Sequence, residues 1–134
     1  MIKLRGHHLV CLHFFSGESF SEEFISNLRD IKKRANEGET INTGYQADDI
    51  CKMCVYLKNK KCLYSENADI EIMNMDKTAM ALLELKQNTN LKWQKISARL
   101  PSMFKDWYIK YCVECDWLNI CRKNKEFLKL IAAF

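Results

Sequence analysis

Six of the seven cysteines in this 134-residue chain form two triplets with similar spacing. The triplets are Cys51-x2-Cys54-x7-Cys62 and Cys112-x2-Cys115-x5-Cys121. A C-x2-C turn lets two thiolates point at one metal ion or cluster, and each triplet adds a third sulfur within the same short loop. Neither triplet lies on an amphipathic helix face, so packing as buried apolar cysteines explains them less well. The two triplets therefore predict a metal centre.

The number of cysteines limits how such a centre is completed. Zinc and iron–sulfur clusters both accept four thiolates, and seven cysteines cannot complete two four-cysteine sites. One arrangement is a single four-cysteine site that draws on both loops, or on one loop and Cys11. A second is two sites, of which at least one is completed by histidine, aspartate or an exogenous ligand. A third is one metal-bound triplet and one idle triplet.

All three histidines fall within the first 13 residues, around Cys11. On a helix His7 lies four residues before Cys11 and His8 three residues before it, so these side chains share one face. The segment can supply a sulfur ligand, a nitrogen ligand or both, although packing in the core would also account for His8 and Cys11. His13 carries little weight as a ligand.

The spacing of the second triplet is similar to the end of the [4Fe–4S] loop in helix–hairpin–helix DNA glycosylases. Those proteins place a fourth cysteine seven residues before the triplet, where this chain has Lys105. The likeness covers about ten residues and implies no glycosylase activity. It favours an iron–sulfur centre whose fourth ligand comes from elsewhere in the chain.

Composition and charge narrow the class of protein. The N-terminus lacks the apolar stretch and cleavage site of a signal peptide, so we expect a cytoplasmic protein in which a disulfide scaffold is excluded. No apolar run approaches the roughly 18 residues of a membrane span, so we expect no membrane contact. The net charge of +4 is too mild to favour nucleic acid as a partner.

Hydrophobic periodicity predicts a mainly α fold, one domain over residues 1–134, with two irregular cysteine loops and a minor β element. The predicted helices are Arg5–Phe15, one capped by Ser21 and ended by Gly38, one capped by Asp76, one over Leu91–Leu100 ended by Pro101, Met103–Tyr111, and Asn124–Ala133. The predicted extended segments are Thr40–Thr43 and Ile70–Ile72, and residues 44–67 show no period.

Several motifs resemble the family called domain of unknown function 1284, which comprises uncharacterised bacterial and archaeal proteins. The motifs are Arg5-Gly6-His7-His8-Leu9-Val10-Cys11, Phe20-Ser21-Glu22-Glu23-Phe24, Asp48-Asp49-Ile50-Cys51-Lys52-Met53-Cys54 and Cys112-Val113-Glu114-Cys115-Asp116-Trp117. The resemblance implies an iron–sulfur centre and supplies no reaction. Its matching candidate ligands are His7, His8, Cys11, Cys51, Cys54, Cys62, Cys112, Cys115 and Cys121.

The leading hypothesis is a small iron–sulfur protein in which the two cysteine loops meet in space and flank the first helix. One [4Fe–4S] cluster is favoured over two. The role would be electron transfer with a redox partner protein, redox sensing or structural support, in an unknown pathway. The oligomeric state is left open.

Two other classes of function stay open. One is a zinc-binding Cys3His module for protein or nucleic-acid interaction. The other is a small metalloenzyme with an open metal position, in which His7 or His8 acts as acid–base group and Arg5 holds an anionic group. Enzyme activity is left undecided, because the chain has no nucleotide-binding glycine loop and no recognised nucleophile motif.

Overall fold

The structure is a computed structural model that describes residues 1–15, 21–46, 48–51, 57–58, 61–62, 68–115 and 118–133. It is mainly helical with a small β-sheet, which confirms the predicted fold class. The described helices are α1 (Gly6–Cys11), α2 (Glu22–Asn36), α3 (Ala68–Leu82), α4 (Trp93–Trp107), α5 (Leu118–Cys121) and α6 (Lys125–Ala132). Among these helices, none has both the length and the apolar character that crossing a bilayer requires.

The sheet places the first strand beside the middle of the chain. Its strands are β1 (Ile2–Arg5), β2 (Ile41–Gly44) and β5 (Asn90–Leu91), in the order β1-β2-β5. β1 runs parallel to β2, and β5 pairs with β2 in the antiparallel sense. A separate hairpin consists of β3 (Leu57–Lys58) and β4 (Lys61–Cys62). The predicted extended segment Thr40–Thr43 is thus confirmed as β2, whereas Arg5 ends β1 and does not belong to the first helix.

The second helix follows the sequence pattern closely. The Ser21 side chain accepts a hydrogen bond from the Phe24 amide, and two glutamates in the first turn complement the helix dipole. Phe24, Leu28 and Ile31 are buried along one face of α2. Gly38 follows the helix with a φ of +95°, a conformation that glycine adopts without steric cost.

The predictions for residues 70–76 are wrong. Ile70–Ile72 is helical and not a strand, and Asp76 lies inside α3 and does not cap its start. Asp76 is fully buried, and its carboxylate accepts hydrogen bonds from Arg5 and His7 near the N-terminus of the chain. The position of this aspartate is therefore explained by a tertiary contact and not by capping of a helix.

The predicted break at Pro101 is also wrong, since α4 runs through it from Trp93 to Trp107. Proline removes one backbone hydrogen bond, the one that would reach the Ser97 carbonyl. Burial of a long apolar face offsets that loss. The buried residues of α4 are Trp93, Ile96, Leu100, Met103, Phe104 and Trp107. A π-helical turn over Tyr108–Cys112 continues α4 directly into the second cysteine triplet.

A cluster of three buried phenylalanines joins three distant parts of the chain. Phe14 follows α1, Phe104 lies on α4 and Phe127 lies on α6. Their ring centroids are 5.3 to 5.5 Å apart in edge-to-face arrangements, a favourable geometry for aromatic pairs. The cluster packs the C-terminal segments against the chain that leaves α1.

The start of α1 packs against the middle of α3 at a distance that requires glycine. A Cβ atom added at Gly6 would overlap the Asp76 carbonyl oxygen and would lie 2.6 Å from its Cα atom. Both obstacles are backbone atoms, so they cannot move away as a flexible side chain would. Gly6 therefore sets how closely the two helices approach.

We expect the substitution Gly6→Ala to lower the free energy of unfolding by about 3 kcal/mol or more, because overpacking against a fixed backbone displaces both helices. Urea denaturation followed by circular dichroism measures the change. Gly44→Ala is the matched control, since a Cβ atom there has no neighbour within 4 Å. A loss at position 6 no larger than the loss at position 44 would contradict this view of the helix contact.

Candidate functional site

Cys11 lies beside the second cysteine triplet. It ends α1, whereas Cys112 ends the π-helical turn and Cys121 ends α5. The thiols of Cys112, Cys115 and Cys121 are each near enough to raise the pKa of Cys11 electrostatically. Four thiols from the two ends of the chain therefore form one group, which is called the four-thiol cluster below.

Burial dominates the acid–base properties of this cluster. Burial raises the pKa of Cys112 to about 12 and that of Cys121 to about 11, and neighbouring thiols add to both shifts. The pKa of Cys11 is raised well above its usual value, first by burial and then by the other three thiols. Without a bound cation Cys11, Cys112 and Cys121 stay protonated at neutral pH, and a metal would remove their protons.

Trp107 lies close enough to the Cys11 side chain to lower the pKa of the thiol, against the larger effect of burial. The indole is buried, with 1% of its surface exposed, and lies on the last turn of α4. A neighbouring N–H group favours the thiolate form of a cysteine. The five described cysteines, Cys11, Cys51, Cys112, Cys115 and Cys121, are thiols and not disulfides.

Cys51, from the first triplet, lies near the start of α1 and contacts different residues. The Arg5 guanidinium donates from Nη1 to the Cys51 sulfur at 3.7 Å. Burial and the Asp48 carboxylate raise the pKa of Cys51 to about 12, although Arg5 opposes the shift. The backbone of Cys62 ends β4. Cys54 and the Cys62 side chain lie outside the described residues, so the predicted meeting of the two loops stays a prediction.

Asp48 joins Cys51 to the start of α1. Its Oδ1 atom accepts hydrogen bonds from the Ile50 and Cys51 amides, both at 3.0 Å. Its Oδ2 atom accepts from the Arg5 amide at 2.8 Å and pairs with Nδ1 of His8 at 2.6 Å. Burial alone would raise the pKa of Asp48, but His8 and the amides outweigh it and hold the pKa well below its usual range. Asp48 is therefore an anion with all of its acceptor positions in use.

His7 and His8 are each hydrogen-bonded through Nδ1 to a buried carboxylate. Nδ1 of His7 is 2.7 Å from Asp76, as Nδ1 of His8 is 2.6 Å from Asp48. Because a carboxylate only accepts, Nδ1 carries a proton in both rings, and in the neutral form of each ring Nε2 holds a lone pair. The ring centroids are 4.1 Å apart. Burial lowers the pKa of His7 to about 4, and His8 adds to that shift.

Arg5 is a buried structural group, which overturns the expectation that it holds an anionic ligand. Its Nε atom donates to Asp76 at 2.7 Å, and Nη2 donates to the Tyr45 carbonyl at 3.3 Å. Its Nη1 atom donates to the Cys51 sulfur, so all three guanidinium nitrogens bond to other groups of the protein. Only 1% of the Arg5 surface is exposed.

His13, which the sequence analysis did not favour as a metal ligand, packs against α4. Its ring stacks on Trp93 with centroids 4.1 Å apart, and its Nε2 atom lies 2.8 Å from the Ser97 hydroxyl. Burial lowers its pKa to about 4.

One compact group of possible metal ligands is present among the described residues. A ring nitrogen of His8, a carboxylate oxygen of Asp48 and the Cys51 sulfur all lie within 4.8 Å of one another. The bonds of Asp48 to the Ile50 and Cys51 amides are those of an aspartate that stabilises a turn. The sequence analysis did not predict the contact of Asp48 with His8, for which the only signal was the proximity of Asp48 to Cys51 in the sequence.

These features define a mainly helical, cysteine-rich protein with a candidate metal-ligand group. The chain matches the family described as protein of unknown function (DUF1284) over residues 19–121. It therefore belongs to that family, as the sequence motifs had indicated. No match is found among the curated proteins or among the solved structures.

We expect Asp76→Asn to lower the free energy of unfolding by about 3–5 kcal/mol, because it leaves the Arg5 charge buried without its anionic partner. Chemical denaturation measures the loss. Asp106→Asn is the control, since this aspartate is exposed on α4 and should change stability by less than about 0.5 kcal/mol. Equal stability of the two variants would show that the Arg5–Asp76 pair does not anchor α1.

Proposed function

We propose that this protein binds an iron–sulfur cluster, of the [4Fe–4S] type, through Cys11, Cys112, Cys115 and Cys121. The observation that carries the proposal is the position of Cys11 beside the second triplet. Cys11 supplies a fourth thiol. The second triplet lacks one of its own, because Lys105 stands where the similar loops have their fourth cysteine. Of the arrangements that the sequence left open, this is the four-cysteine site built from one loop and Cys11.

The chemistry of the four-thiol cluster suits such a group. Its donors are all sulfur, the ligand type that iron–sulfur clusters use. Cys11, Cys112 and Cys121 pack against the hydrophobic core, so solvent is partly excluded from the thiols. Bound iron would offset the burial that raises their pKa values, and the cluster would supply one-electron redox chemistry. An N–H group such as that of Trp107 near Cys11 is of the kind that tunes a reduction potential.

The spacing of the thiols supports a cluster over a single zinc ion. Tetrahedral zinc with Zn–S bonds of about 2.3 Å holds its sulfurs about 3.8 Å apart. Among the described residues, the group with three ligand atoms within 4.8 Å of one another is His8, Asp48 and Cys51, and not the four thiols. Thiolates that bind different iron atoms of one cluster are held farther apart than the ligands of one ion.

Electron transfer with a redox partner protein in the cytoplasm is the role that we favour. Cys112, Cys115 and Cys121 are only partly buried, so a cluster there would lie near the surface. Ile109 lies three residues before Cys112 and Val113 directly follows it, and these side chains are 62% and 53% exposed. Apolar side chains at that position would suit contact with another protein close to the cluster.

We expect Cys11→Ser to abolish the visible absorption of the cluster and the electron paramagnetic resonance signal of its reduced form, in protein prepared without oxygen. The loss follows because serine replaces one of the four thiolates. Cys51→Ser is the matched control, since Cys51 contacts Arg5 at the start of α1, and it should retain both signals.

Two results would overturn this proposal. One is a wild-type protein that stays colourless after anaerobic reconstitution with iron and sulfide. The other is the reverse pattern, in which Cys51→Ser removes the cluster and Cys11→Ser keeps it. Circular dichroism of each variant establishes that a lost signal does not come from unfolding.

A further inference from the structure

The pairing of His8 with Asp48 is the arrangement that proteins use to hold a metal-binding imidazole. A histidine that ligates zinc through one ring nitrogen almost always donates its other N–H to a carboxylate or a carbonyl. In His8 the Nδ1 proton is directed at Asp48, which leaves the lone pair of Nε2 for a cation. The side chain of His8 is 14% exposed, so a small ion can reach it.

The second ligand is the Cys51 sulfur, which lies within 4.8 Å of one of the two ring nitrogens of His8 and of a carboxylate oxygen of Asp48. Imidazole nitrogen and thiolate sulfur together are the ligand types that zinc prefers. Arg5 is bonded to this sulfur and would stabilise its thiolate form. Asp48 and Asp76, both buried beneath the site, supply the negative charge that compensates for Arg5.

The geometry gives Asp48 a positioning role. Its oxygens already accept four hydrogen bonds, from the Ile50, Cys51 and Arg5 amides and from His8. The 2.6 Å separation from Nδ1 of His8 is that of a hydrogen bond. Two nitrogen or oxygen ligands of a tetrahedral zinc ion would lie about 3.4 Å apart, so one ion does not join this pair of atoms directly.

We propose that His8 and Cys51 are ligands of a second metal site, which takes a divalent cation of the zinc type and is separate from the four-thiol cluster. Cys54 and Cys62 are the further sulfurs that the first triplet offers in sequence. The two sites lie at opposite ends of α1, since Cys51 contacts Arg5 directly before this helix and Cys11 is its last residue. The two proposed sites share no ligand.

The test uses zinc alone as the probe, added to the full-length protein whose four-thiol cluster has been reconstituted without oxygen. After weakly bound metal is removed, elemental analysis should give one zinc per chain in addition to the iron. His8→Gln and Cys51→Ser should each lower the zinc affinity at least tenfold in competition with a chelator. His13→Gln is the matched histidine control, because His13 contacts Ser97 and Trp93 and should leave the zinc affinity unchanged.

X-ray absorption at the zinc edge of the wild-type protein tests the same site without any variant that fails to fold. A shell of mixed nitrogen and sulfur with imidazole scattering is expected. An all-sulfur shell, or absence of stoichiometric zinc, would overturn the second site, as would equal zinc affinity in folded His8→Gln, Cys51→Ser and wild type. None of these outcomes bears on iron and sulfide content, so failure of this site is distinguishable from failure of the proposed cluster.

Discussion

The buried ion pair between Arg5 and Asp76 fixes the start of α1, and the positions of the candidate ligands follow from it. A buried guanidinium is stable only when its charge is compensated and its N–H groups are bonded, and Asp76, Cys51 and the Tyr45 carbonyl meet that need. Gly6 permits the close approach of α1 and α3 that brings the pair together. The same contact places His7 against Asp76.

One short helix then separates two kinds of chemistry. α1 spans six residues, or about 9 Å at 1.5 Å per residue. Histidines supported by carboxylates lie at its start, near Cys51, and Cys11 lies at its end among three other thiols. The phenylalanine cluster of Phe14, Phe104 and Phe127 packs the C-terminal cysteine segment against that end. His8 and Cys11 are three residues apart, so the two environments are separated by only about one helical turn.

Local sequence predicted much of the fold but not its tertiary contacts. Periodicity predicted α2 with its Ser21 cap and also predicted α6, because amphipathic spacing and capping are properties of neighbouring residues. It misassigned Asp76 and Pro101, where burial against distant residues outweighs local preference. Cysteine spacing indicated a metal centre and left open whether Cys11 joins either triplet. Which thiols lie beside Cys11 depends on how α4 and α6 pack against Phe14, after the end of α1, and cysteine spacing does not encode that packing.

The central claim is that the four thiols from the two ends of the chain hold one iron–sulfur cluster. Iron and acid-labile sulfide per chain, measured on wild-type protein purified without oxygen, test it most directly. The account predicts about four iron and four sulfide per chain, the content of one [4Fe–4S] cluster. Stoichiometric zinc with neither iron nor sulfide would contradict it, because the thiols of Cys11 and the second triplet would then serve a single ion.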